Sequence, residues 1–142
     1  MKHIITMITH LKAKHLSVLC LLCLWPLTAC HEEPNPDDLA LQAAKGYYDE
    51  LLAGNYEAFL NGKATADSMP QNYRSQMVQV YRNYMEEQKE NHGGLHQVTA
   101  VRAQRDTTLH FTHAFLLLHF ADSTKEEITI PMIEVKGQWK MK

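Results

Sequence analysis

Histidine is the residue type here best suited to proton chemistry near neutral pH, since its ordinary pKa is about 6.5. Beyond Cys30 the histidines are His31, His92, His96, His110, His113 and His119. A metal site needs several donors within about 2 Å of one ion. His113 and His119 fall on one extended segment and stand roughly 20 Å apart at about 3.3 Å per residue, so they cannot share an ion. His96 is placed diagonally to His119, but no carboxylate or thiolate completes a ligand set. No metal and no cofactor is therefore expected. His113 opposite Glu134 is the sharper pair, because a carboxylate beside imidazole raises its pKa and orients the ring. That geometry suits a general base and a structural hydrogen bond equally. No nucleophile elbow, phosphate loop or zinc-protease motif is present. The chain reads as non-enzymatic, with His113 and Glu134 as its catalytic candidates.

The cysteines are Cys20, Cys23 and Cys30. Cys20 and Cys23 form a CxxC inside an apolar run, Leu16 to Leu27, where cysteine acts as a small hydrophobe. That run, about a dozen residues, is too short to span a bilayer, which takes about 20. It matches the apolar region of a signal peptide and follows a basic start carrying Lys2, Lys12 and Lys14, with Met1 or Met7 as first residue. Leu27-Thr28-Ala29-Cys30 resembles the lipobox of bacterial lipoproteins. The resemblance implies that Cys30 becomes the lipid-modified N-terminus of the mature protein, with acyl chains such as palmitate, and that the protein is anchored in the cell envelope, at the outer membrane. Several acyl chains on one residue hold a membrane where one alone binds reversibly. His31-Glu32-Glu33-Pro34-Asn35-Pro36-Asp37-Asp38 follows, too charged and proline-rich to bury apolar area. It reads as a tether. It also resembles the surface-export signal of Bacteroidetes lipoproteins, which implies display at the cell surface; a plain solvated linker has the same composition.

The formal charge is −2, and setting aside Lys2, Lys12 and Lys14 leaves −5 from Cys30 onward. An acidic domain excludes nucleic acid as the expected partner, because phosphate neutralisation needs a basic face. At 142 residues the chain holds one ordinary domain. The expected division is a signal peptide over 1–29, a tether over 30–38 and a single domain over 39–142.

The elements that position the candidates follow from periodicity. A helix is predicted from Leu39, capped by Asp37 or Asp38, with Leu41, Ala44, Tyr48 and Leu51 on its apolar stripe. Gly54-Asn55 ends it, and Tyr56 to Leu60 gives a short second helix. Pro70 opens a third that runs to about Asn91, with Tyr73, Met77, Val80, Tyr81 and Tyr84 as its buried stripe. From Leu95 the period changes to two, predicting strands at Leu95–Gln104, Leu109–Ala121, Glu126–Val135 and Gln138–Met141. Four-residue turns at Arg105–Thr108 and Asp122–Lys125 and a two-residue turn at Lys136-Gly137 make an antiparallel meander. Symmetric turns set His119 opposite Ile128, Leu117 opposite Ile130 and His113 opposite Glu134. One face then collects Val98, Ala100, Phe115, Leu117, Ile128, Ile130 and Met132, to pack under the helices. The other face keeps Leu116, Leu118, Phe120 and Ile133, apolar enough to meet a second copy or a partner. Pro131 lacks a ladder donor and demands a bulge or an edge.

This α+β arrangement of three helices and a curled four-stranded sheet, with Tyr47-Tyr48, Asn55-Tyr56-Glu57-Ala58-Phe59-Leu60 and the terminal Gly137-x-Trp139-Lys140, resembles the nuclear-transport-factor-two-like (NTF2-like) cone fold. More narrowly, it resembles small Bacteroidetes lipoproteins that carry such a domain; a cystatin-like topology fits much of the same pattern. The resemblance implies a cone whose interior is lined by Tyr81, Tyr84, Val98, Phe115, Leu117, Ile130 and Met132. The expected function is a lipid-anchored, non-enzymatic envelope protein binding a small apolar ligand, a peptide or a partner subunit. The alternatives are an isomerase- or cyclase-like enzyme and a homodimeric assembly module.

Overall fold

The computed structural model describes residues 35–142. The expected signal peptide, the Cys30 lipidation site and most of the tether lie outside the described residues. Within them, three α-helices precede a four-stranded antiparallel sheet in the order β1-β2-β3-β4. No helix among the described residues is long and apolar enough to cross a membrane.

Helix α1 spans Pro36–Leu52, starting three residues earlier than its apolar stripe suggests. Its cap is Asn35, not Asp37 or Asp38: the Asn35 side chain accepts from the Asp37 amide at 3.0 Å. Pro36 explains the shift, since its missing N–H and fixed φ suit the first helical position. Asp37 and Asp38 instead fill the first turn, where the helix dipole favours negative charge. Ala40 and Ala44 are fully buried and let the helix sit close on the sheet. Gly54, with φ 80°, ends it. Helix α2, Tyr56–Asn61, buries Phe59 and Leu60. Gly62 then passes directly under the Tyr47 ring, where a Cβ would lie 2.5 Å from the ring carbon Cδ1. Tyr47 Oη in turn donates to the Trp139 carbonyl at 2.8 Å, tying α1 to the last strand. Arg74 binds the Ala66 carbonyl, Glu57 and Asn61 at 2.9, 2.8 and 2.6 Å, which fixes the connection between α2 and α3.

Helix α3, Gln71–His92, stops at Gly93 in the left-handed conformation. Its buried stripe is narrower than expected. Tyr73 and Val80 are 47% and 52% exposed, and Tyr81 is the one buried residue of the helix. The His92 ring at its end hydrogen-bonds the Asp122 carboxylate at 2.9 Å. That bond and the Thr124 amide hold Asp122 down to a pKa of about 2.

The strands are β1 Leu95–Asp106, β2 Phe111–Phe120, β3 Lys125–Val135 and β4 Gln138–Met141. The Lys136-Gly137 turn is as expected, with positive φ at both residues, the form that matches strand twist. The other two turns differ, and they change the register. Asp106 caps the first turn from outside it, accepting from the amides of Thr108 and Leu109, both at 2.9 Å. The turn therefore occupies 107–110, pairing Asp106 with Phe111. The second is a three-residue loop: the Phe120 amide donates to the Thr124 carbonyl, and Ser123 takes φ 72°. Changing a four-residue loop to three changes which residues face each other. Leu116 pairs with Ile128 and Ala114 with Ile130, while His113 pairs with Pro131 rather than Glu134.

Ala114, Leu116, Leu118 and Phe120 thus point to the helices and are almost fully buried. Phe115 and Leu117, expected under the helices, lie half-buried on the opposite face. Val98, Ala100, Ile128, Ile130 and Met132 do pack on the helix side as expected. A bulge between Ala100 and Arg102 lets Val98 pair with Leu118 and Ala103 with Ala114 on that same side. Pro131 meets its edge. Its carbonyl accepts from the Lys142 amide at 2.9 Å, so its missing donor faces the side where β4 runs out.

Candidate functional site

The inner face of the sheet and all three helices line a cavity of about 370 Å³ that opens to solvent. Helix α1 supplies Tyr48 and Leu51, three residues apart on one face. Helix α2 supplies Phe59, with Lys63 just beyond it. Helix α3 supplies Val80, Tyr81 and Tyr84, and the sheet closes the space with Leu118 and Ile128. Phe59 is the pivot. It meets the Tyr48 ring edge-to-face at 5.2 Å and the Tyr81 ring at 4.8 Å, fixing both phenols.

Three tyrosines therefore share one largely apolar space. Burial raises the Tyr48 hydroxyl pKa well above the ordinary phenol value, with the neighbouring Tyr84 and Tyr81 hydroxyls and then Glu126 adding to it. Burial is also the first cause for Tyr81, reinforced by Tyr73, and for Tyr84, reinforced by Glu126 and Glu87. These phenols keep their protons and act as donors. Tyr81 Oη is buried and has no protein partner among the described residues.

Of the residues expected to line the cone, Tyr81 and Tyr84 do so. Val98 and Met132 are absorbed in the close-packed core, and Ile130 packs against it. Phe115 faces the other side, beside His113 and Thr129 in a separate open depression of about 460 Å³. Leu117 shares that outer face. Tyr48, Leu51, Phe59, Lys63, Val80, Leu118 and Ile128 complete the lining without having been singled out for it. The Tyr47-Tyr48 pair was the available signal, since one of two adjacent helical aromatics must point differently from the other.

The His113–Glu134 pair does not form. The His113 ring sits against Phe111 at 4.8 Å, and its Nδ1 is buried without a partner. Glu134 pairs with Trp139 and borders a different depression of about 580 Å³, with Pro36, Arg105 and His110. His119 is engaged by the Thr99 hydroxyl at 2.9 Å, and its ring centroid lies 6.3 Å from that of His96. Among the described residues no three histidine, cysteine or acidic side chains cluster as metal ligands.

No protein-family model matches the chain. No curated protein matches it either. A solved structure does: a Campylobacter jejuni protein described as an NTF2-like transpeptidase, with a TM-score of 0.56 and 14% identity over 76% of this chain and 97% of that one. At that identity the likeness speaks for fold, and the described domain has the NTF2-like architecture.

Proposed function

We propose that this is a lipid-anchored protein of the bacterial envelope whose cone domain binds a small, mainly apolar ligand without transforming it. The tyrosine-lined cavity of about 370 Å³ carries the reading, at the lower end of the roughly 300–1,000 Å³ that small-molecule sites span. Its lining offers phenol donors and Lys63 among apolar side chains and holds no carboxylate or imidazole. That set can hold a molecule in one orientation. The nearest carboxylate acting on it, Glu126, bears on Tyr48 and Tyr84 from outside the lining, which weighs against an isomerase- or cyclase-like activity. His113 and Glu134, the catalytic candidates, are not paired and do not border this cavity.

The anchor rests on Leu27-Thr28-Ala29-Cys30 and the apolar segment before it. Because acylation requires the thiol, Cys30→Ala should move the protein from the membrane fraction to the soluble fraction. A variant that still sediments with membranes in detergent-free, high-salt buffer removes the lipoprotein reading and leaves the ligand reading untouched. The proposed layout is a cleaved leader, an acidic tether of a few residues after Cys30, and the cone standing off the membrane.

A further inference from the structure

Strand β3 runs for 11 residues, but β4 pairs only with its end, Met132–Val135. Just before that end, the Pro131 carbonyl accepts from the Lys142 amide at 2.9 Å, so the Pro131 backbone faces the β4 side. Backbone groups alternate sides along a strand, so Glu127 and Thr129 present their N–H and C=O to that side too. Glu126 and Ile128 face the other way, toward their β2 partners Leu118 and Leu116. Glu127 and Thr129 are exposed, no strand lies beyond them, and no backbone group among the described residues bonds them on that side. The sheet has a gap one strand wide.

The tyrosine-lined cavity opens at this gap. Its deep members, Leu51, Phe59 and Leu118, are buried, whereas Lys63, Val80 and Ile128 reach solvent. Ile128 belongs to the open stretch of β3, and Lys63 bridges Met141, where β4 stops. A strand laid in the gap would therefore turn alternate side chains toward the cavity mouth. Glu126 bears on Tyr48 and Tyr84 from the same stretch, and none of the ion pairs among the described residues includes it. A second copy of the chain suits the gap poorly. Two-fold pairing over 125–129 would set Glu127 opposite its own counterpart, and like charges directly opposite are destabilising.

We propose that the gap beside β3 takes an extended peptide segment of a partner protein, antiparallel to β3, with an apolar side chain opposite Ile128 and a basic one opposite Glu126. Main-chain bonds to Glu127 and Thr129 supply the attachment, and the two alternate side chains supply the selectivity. Every strand pair here is antiparallel, and such a segment continues the line of β4. The inference rests on the cavity accepting an apolar group, as proposed above, and adds that the group arrives on a strand.

The probe is an acetylated and amidated pentapeptide of threonines, with leucine second and lysine fourth, titrated into the full chain. Amide resonances of Glu127 and Thr129 should shift together with the methyls of Leu118 and Ile128. At saturation the two amides should exchange about tenfold more slowly. N-methylation of the third residue, whose N–H points at β3, should weaken binding about tenfold. N-methylation of the fourth, whose N–H points away, should leave it unchanged. Thr129→Pro removes an outward donor without touching the bonds to β2, on the side where Pro131 is already tolerated, and should weaken the peptide as strongly. Glu126→Lys, an exposed change that needs no backbone adjustment, should reverse a preference for lysine over glutamate at the fourth position. Equal weakening by the two N-methylated peptides, or no effect of either variant, would overturn the strand pairing. Toluene shifting Leu118 and Ile128 while the peptide shifts nothing would overturn the peptide partner and leave the cavity a binding site. Neither probe shifting them would remove both. Slowed exchange of the two amides without peptide, growing with protein concentration, would overturn the proposal in favour of a second copy.

Discussion

Tyr48 shows how one side chain serves both packing and the site. Its ring is held edge-to-face by Phe59, and its hydroxyl is raised in pKa chiefly by burial. In the unfolded chain a tyrosine ionises near pH 10, whereas folded Tyr48 resists ionisation. The raised value means that this residue's contribution to stability is complete below pH 10. It is lost as pH climbs beyond that, because the unfolded state then gains from releasing the proton. An alkaline titration followed by phenolate absorbance should therefore show a late component. Tyr48→Phe should remove that component and flatten the loss of stability above pH 10, and an unchanged curve would contradict the burial of this hydroxyl. The identity of Tyr48 as a cavity residue was only half legible in the sequence. Periodicity put it on the apolar stripe of α1, but whether a striped residue packs solid or borders a space depends on side chains from two other helices.

At the scale of elements, the existence and order of the helices and strands were readable, and so was the closing turn at Lys136-Gly137, whose glycine marks it. The sheet register was not. It depended on a loop of three residues where composition suggested four. The closing signal was Ser123 in a left-handed conformation, which neither glycine nor asparagine announces. One residue in a loop moved every β2 side chain to the other face. The register makes a direct prediction. Leu116, 0% exposed, should cost about 2–5 kcal/mol when replaced by alanine. Half-buried Leu117 should cost less than half as much. Urea unfolding with an unchanged slope reads both, and a larger loss at Leu117 would restore the symmetric-turn register. The same misplacement explains the loss of the His113–Glu134 pair: the pairing was derived from a turn that is not there. Pro131 was legible for a sound reason, since a missing donor is tolerated at an edge, at a bulge or where the neighbouring strand runs out.

For the whole molecule, the proposed anchor and the proposed binding site lie in different parts of the chain. The proposal for the anchor rests on a short local pattern, Leu27-Thr28-Ala29-Cys30, that can be read without a fold. The tyrosine-lined space could not be read that way, because Tyr48, Phe59, Tyr84 and Ile128 come from four elements that meet only when folded. The central claim is that these residues surround an apolar space open to a small molecule. Xenon tests this with no assumption about hydrogen bonding, since apolar cavities take it up. Under xenon pressure, the methyl resonances of Leu51, Leu118 and Ile128 should shift together and saturably, with Leu117 on the far face unmoved. Shifts centred on Leu117, or no saturable shift at Leu118 and Ile128, would contradict the account.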